Sequence, residues 1–226
     1  MAIPIGLFFT WAGYRIGLLI SKSTAKSQLN NLHGIIILIF ILSTPLFMSF
    51  ESLIKHSQPI RSIVTSIEIN APIEKVWRNV IAFPELKAPS EFIFRAGIAF
   101  PINATISAKG AGAIRRCNFS TGSFVEPITV WDEPNLLRFS VREQPDVMRE
   151  LSPYNIHPNH LKGYWVSKQG QFKLRQLSDG RTLLEGTTWY VNKIAPDLYW
   201  HIWSDYIVHK IHMRVLTHIK KQSESS

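Results

Sequence analysis

Apolar residues recur along this chain in three rhythms, and each predicts a different element. The first is unbroken. From Leu32 to Phe50 the sequence LHGIIILIFILSTPLFMSF holds no Asp, Glu, Lys or Arg. As a helix it would be roughly 28 Å long, close to the hydrocarbon thickness of a bilayer, and it predicts a membrane span over 32–50. The stretch 3–20, IPIGLFFTWAGYRIGLLI, is similar except for Arg15, which is costly at the bilayer centre but tolerable near an end. It predicts a second span or a helix lying in the interface. No basic segment precedes it, which argues against a cleavable signal peptide.

The second rhythm is alternation. After a polar linker at 55–59, Ile63 to Ile69 alternates as a strand would and ends at Asn70-Ala71-Pro72. PIEKVWRNVIAF then predicts a helix over 72–83 with Pro72 at its first position. From there to about Lys193, short runs rich in Ile, Phe, Val, Thr, Trp and Tyr are separated by turn residues. Ser178-Asp179-Gly180-Arg181, between FKLRQL and TLLEGTTWYV, is a hairpin signal.

The third rhythm is helical. Pro196 opens a long helix in which Val208, Ile211, Val215, Leu216 and Ile219 form one apolar stripe, with Lys210, Arg214, Thr217 and Lys221 opposite. His201, Asp205 and His212 fall near the middle of that stripe by angle, and His209 lies on its flank. Ionisable groups on an inward face need partners, water or a ligand.

Strand, helix, antiparallel meander and long C-terminal helix is an α+β order. A curved antiparallel sheet around one long helix leaves space between them, and the inward stripe faces that space. The expected organisation is a membrane anchor and linker over 1–58, a folded domain over 59–222 and a disordered tail over 223–226.

Charge changes this picture little. The chain carries 25 Lys and Arg against 16 Asp and Glu, a net +9, but the basic residues of the domain are scattered. They imply weak attraction to anionic headgroups. No basic cluster interleaved with aromatics supports nucleic-acid binding. Cys117 stands alone, so neither an intrachain disulfide nor a cysteine-based zinc site is open to the chain. Lys22 and Lys26 place the loop between the two apolar stretches in the cytoplasm and both termini on the far side.

Three roles are open to His201, Asp205, His209 and His212. They could hold a metal through their i, i+3 and i, i+4 spacings, act as general acid and base, or close a structural network. Within the strands, Glu126 and Glu185 lie among residues that want burial, and Arg115 and Arg116 precede them in the neighbouring segment. One of the arginines could pair with a carboxylate across the sheet, as a surface or partly buried ion pair, or else Arg115 or Arg116 and Glu126 could anchor the polar head of a ligand at the cavity. Alternation does not say which parity faces inward. Trp131, Trp165, Trp189, Trp200 and Trp203 read as core and rim packing, with Trp189 the one assigned to a ligand. The loop 152–160 carries a His157-x-x-His160 spacing and two prolines, fitting either a cap over the cavity mouth or a surface connection. No glycine-rich phosphate loop, GxSxG context or paired carboxylates are present.

VTSIEINAPIEKVWRNVIAFPEL (64–86) resembles the opening of the START-related helix-grip (SRPBCC) superfamily, which includes polyketide cyclase/dehydrase-like and lipid-transfer proteins. The stretches 112–141 and 184–219 further resemble a bacterial membrane-tethered branch of it. The resemblance implies a helix-grip fold with a cavity for an apolar ligand, in a family that ranges from carriers to cyclases. The expected function is membrane-anchored binding of a hydrophobic or amphipathic small molecule such as a lipid, isoprenoid or polyketide-like compound. His201, Asp205, His209, His212, Glu126, Arg115, Arg116 and Trp189 would line its site, without cofactor or metal. The alternative is a cyclase or dehydratase using His201, Asp205 and His212. The expected location is the bacterial inner membrane, with the domain outside the cytoplasm.

Overall fold

The structure, a computed structural model, describes residues 3–23, parts of 35–46, and 59–149, 163–194 and 197–225. The chain divides into two compact units, Met1–Ser57 and Gln58–Ser226.

In the first unit, α1 spans Ile3–Ser23. Leu7, Phe8, Phe9, Trp11, Tyr14 and Leu19 on it are exposed, and the Arg15 guanidinium lies 5.7 Å from the Trp11 ring centre. Among the described residues no helix is long and apolar enough to cross a membrane. Most of the expected span 32–50, and the connection beyond Ser23 with Lys26, lie outside the described residues, whereas Lys22 belongs to the last turn of α1. Of that span, Ile35, Leu38, Ile39, Ile41, Leu42 and Leu46 are helical and exposed.

The second unit is built on one antiparallel sheet. Its strands are β1 (Arg61–Ile69), β2 (Pro101–Ile106), β3 (Ile114–Phe119), β4 (Gly122–Asp132), β5 (Leu136–Ser140), β6 (Trp165–Gln176) and β7 (Thr182–Asn192). They pair in the order β1-β7-β6-β5-β4-β3-β2. Two short helices, α2 (Ile73–Ile81) and α3 (Phe92–Arg95), join β1 to β2, and α4 (Asp197–Glu224) closes the chain. α4 touches β1 at one edge of the sheet and β2 at the other, which requires the sheet to curl around the helix. This is the α+β arrangement that the strand–helix–meander–helix order predicts.

Strand parity follows from burial. In β1, Arg61, Ile63, Thr65, Ile67 and Ile69 turn inward while Ser62, Val64, Ser66 and Glu68 are exposed. In β7 the even positions Leu184, Gly186, Thr188 and Tyr190 face α4, and the register pairs Thr65 with Gly186 and Arg61 with Tyr190. The core gathers Ile69, Val76, Trp77, Val80, Leu137 and Leu184 with Val215, Leu216 and Ile219 of α4. Trp77 meets Trp131 edge-on, ring centres 5.5 Å apart.

Several boundaries differ from the sequence reading. Pro72 is the residue before the first turn of α2, with φ −61° and ψ 148°, and its carbonyl accepts from Lys75 and Val76. The helix stops at Ile81 because Ala82 is extended and Phe83 exchanges two backbone hydrogen bonds with Ala104, at 3.0 and 3.1 Å. The hairpin at Ser178-Asp179-Gly180-Arg181 is present, with Gly180 at φ +84°, a conformation that favours glycine.

α4 runs past residue 222, because its last turn is fastened to the start of the fold. Ser223 is buried and accepts from Asn79 at 2.9 Å, Glu224 accepts from the Asn70 backbone at 2.7 Å, and Lys75 donates to the Ser225 carbonyl at 2.7 Å. Arg214, expected on the outer side, is partly buried, with its guanidinium 5.4 Å from the Phe100 ring centre and Nε donating to the Pro101 carbonyl. The sheet wraps far enough round the helix to cover that flank.

Candidate ligand cavity

Between α4 and the concave face of the sheet lies a cavity of about 90 Å³. Its walls are chiefly apolar: Phe119, Phe139 and Phe172 from the sheet and Ile211, Val215 and Leu216 from α4. Arg115 and Cys117 of β3 enter from one side, His212 and Thr188 from the other. At roughly 30 Å³ per water in the liquid, this volume suits about three waters or one small ring, well below the roughly 300–1,000 Å³ of drug-sized sites.

Arg115 is the group that most needs explanation, because it is 1% exposed. β3 alternates, so Arg115, Cys117 and Phe119 point inward while Arg116 is exposed on the convex side. Arg115 sits opposite Glu126 in the β3–β4 register, and the two side chains form a buried ion pair. Nε donates to the Ile81 carbonyl at 3.3 Å. The rings of Phe83, Phe139 and Phe172 surround the guanidinium at 5.7, 5.4 and 5.6 Å, so the cation is desolvated into π faces. Burial, the largest influence, lowers the guanidinium, but Glu126 and then Cys117 together outweigh it and keep Arg115 above its ordinary value. Burial pushes the Glu126 carboxyl up against the pull of Arg115. It also raises the Cys117 thiol to about 12, so the sulfur beside the cavity stays protonated.

The ionisable residues of α4 separate into two sites. His212 lines the cavity. Its Nδ1 lies 3.1 Å from the Thr65 hydroxyl and its Nε2 2.8 Å from the Thr188 hydroxyl. Burial, and next the charge of His209, lower His212 to about 4 and keep it neutral. His209 is exposed, with Nδ1 3.0 Å from the same Thr65 hydroxyl.

Asp205 is engaged elsewhere. One oxygen accepts from the Tyr190 hydroxyl and the other from Arg61 at 3.2 Å. Burial and then Asp205 raise the Tyr190 phenol. His201 lies about 16 Å along the helix axis from His212 and is half-buried. The angular alignment of His201, Asp205 and His212 is therefore real but does not bring them to one place. Among the described residues no three His, Cys, Asp or Glu side chains gather to hold a metal.

Of the other expected site residues, Arg115 is inward, with Glu126 paired behind it, whereas Arg116 is outward. Trp189 occupies an odd position of β7 and lies on the face away from α4, since Thr188 and Tyr190 on either side of it bond to α4. Its neighbour Tyr190 stacks on Trp165, ring centres 5.2 Å apart. The loop with His157 and His160 lies outside the described residues. Sequence reasoning missed Thr65, Thr188, Tyr190 and Arg61. The period-2 pattern of β1 and β7 held the signal, once one parity was fixed.

No family model matches the chain, and no curated protein matches it. Among solved structures, a truncated norcoclaurine synthase from Thalictrum flavum is 11% identical, with a TM-score of 0.47 over 76% of this chain and 98% of its own. An aromatase/cyclase from a Streptomyces species is 13% identical, at 0.47 over 74% and 94%. A protein from Nitrosospira multiformis is 17% identical, at 0.46 over 73% and 97%.

Proposed function

We propose that this chain is a membrane-anchored domain that binds a hydrophobic or amphipathic small molecule between its sheet and α4. The observation that carries the reading is Arg115, the cation in a chiefly apolar cavity wall, ringed by Phe83, Phe139 and Phe172 and tied to Glu126. A fully buried ion pair is no aid to stability relative to apolar packing. A polar group placed in an apolar wall is what orients an amphipathic ligand. The uncharged run over 32–50 and the exposed apolar side chains of α1 support the anchor, which would hold the domain beside the bilayer where such a ligand dissolves. The inner membrane of a bacterium, with the domain outside the cytoplasm, fits the loop charges at Lys22 and Lys26.

A second reading, a cyclase or dehydratase, is favoured by the polar pair His212 and Thr188 on the cavity wall, hydrogen-bonded to each other and placed to contact a bound substrate. His201 and Asp205 have no part in that version.

Mass spectrometry of organic extracts from the full chain purified in detergent tests the binding reading. An apolar compound at stoichiometric level, absent from matched empty micelles, is expected. Extracts identical to those of empty micelles would overturn it.

A further inference from the structure

One hydrogen-bond chain joins solvent to the cavity. It runs from exposed His209 Nδ1 to the buried Thr65 hydroxyl (3.0 Å), on to His212 Nδ1 (3.1 Å), and from His212 Nε2 to the Thr188 hydroxyl (2.8 Å) at the cavity wall. Each hydroxyl has one proton to donate, and a neutral imidazole has one donor and one acceptor nitrogen. A charged His209 therefore sets the direction of the chain from its exposed end, because both of its ring nitrogens donate.

When His209 is protonated, its Nδ1–H must donate to Thr65. Thr65 then gives its own proton to His212 Nδ1, which leaves His212 as the Nε2–H tautomer donating to Thr188. The Thr188 proton is left to point into the cavity. When His209 is neutral with a bare Nδ1, Thr65 donates to it and accepts from His212 Nδ1–H. His212 Nε2 then accepts the Thr188 proton, and only Thr188 lone pairs face the cavity. No net proton enters His212 in either state, in keeping with the burial that holds it neutral.

We propose that protonation of His209 reverses this chain and turns Thr188 from an acceptor into a donor, so that in acid the cavity prefers a ligand bearing a hydrogen-bond acceptor such as a ketone carbonyl. The proposal rests on the cavity-binding reading above and names the ligand chemistry of that site.

The charged groups around the chain are already matched. From β1 and β7, Arg61 and Tyr190 both face Asp205, one turn before His209 on α4. From β3, Arg115 and Cys117 share the cavity, with Glu126 of β4 paired to Arg115. Lys210 lies over the Tyr206 ring, 5.6 Å from its centre. The change of charge that the chain reads is thus the one at its own exposed imidazole.

The test uses the full chain in detergent micelles with ¹⁵N-labelled histidine, and long-range correlation of ring nitrogens to identify tautomers. As His209 titrates, His212 should stay neutral and pass from Nδ1–H to Nε2–H with the same midpoint. Cyclopentanone, a ring on the scale of the cavity, should bind about fivefold more tightly below that midpoint, the worth of one hydrogen bond, whereas cyclopentane should bind equally on both sides. Thr65→Val keeps the shape and cuts the chain, and should abolish both effects. His209→Gln, at an exposed position, should do the same without disturbing the core.

A His212 tautomer that ignores His209, or that follows it equally in Thr65→Val and wild type, overturns the proposal. So does cyclopentanone binding independent of pH. If neither ring compound binds, the cavity-binding reading fails, and with it the ligand preference, while the tautomer readout still decides the reversal of the chain.

Discussion

Arg115 and Glu126 face each other across β3 and β4 as an ion pair whose side chains are 2% and 8% exposed. Removing one partner leaves the other as an uncompensated buried charge. Arg115→Met alone is expected to cost about 3–5 kcal/mol of unfolding free energy. Arg115→Met combined with Glu126→Leu should recover most of that loss, because the lone carboxylate is gone. Urea denaturation of the two variants measures the difference, and equal destabilisation of single and double variants would contradict the pairing.

Acid should weaken the fold through His212. Its folded value is lowered to about 4 against an ordinary 6.5, so the unfolded chain takes up the proton first. At pH 7 and above both states are neutral and the group contributes nothing to the pH dependence. As pH falls from about 6.5 to 4 the unfolded state is favoured, by at most about 3 kcal/mol. In His212→Leu this slope should flatten, although the Thr65 and Thr188 hydroxyls lose a partner. Thermal unfolding recorded at half-unit pH steps checks it.

Two glycines on the concave face should behave oppositely. A Cβ at Gly170 would lie 2.5 Å from the Phe139 ring, whereas one at Gly186 meets nothing nearer than Leu216 at 3.7 Å. Gly170→Ala is expected to cost about 1–3 kcal/mol by overpacking and to push the Phe139 ring against Arg115. Gly186→Ala should be neutral within about 1 kcal/mol, or slightly stabilising through the chain entropy that alanine lacks. Denaturation midpoints of the pair give the answer.

The anchor can be tested independently of the cavity. Replacing residues 36–42 by Ser and Asn should move the full chain from the alkaline-resistant membrane fraction to the supernatant. Retention in the pellet would assign anchoring to residues 3–20.

The fold was largely legible because its signals are local. The alternation of β1, the hairpin turn at Gly180 and the apolar stripe through Val215 and Ile219 each need only a few residues to be seen. The site was legible in part. Periodicity places His201, Asp205 and His212 on one face, yet angle says nothing of distance along an axis, so three aligned residues read as one cluster when they form two. Arg115 and Arg116 were equivalent in sequence, because a strand's period fixes that neighbours differ without fixing which one is inside. That choice is made by the partner: Glu126 stands opposite Arg115 in the register and carries it into the core.

The fastening of the last turn of α4, through Asn79, Asn70 and Lys75, makes the helix a lever with one clamped end. Nearer its start, among the described residues, polar groups tie α4 to the sheet: Asp205 to Arg61 and Tyr190, and Ser204 to Asn192 at 3.3 Å. Loss of one of these polar ties would therefore loosen α4 on the side of Tyr190 and Arg61 while its far end stays held beside α2.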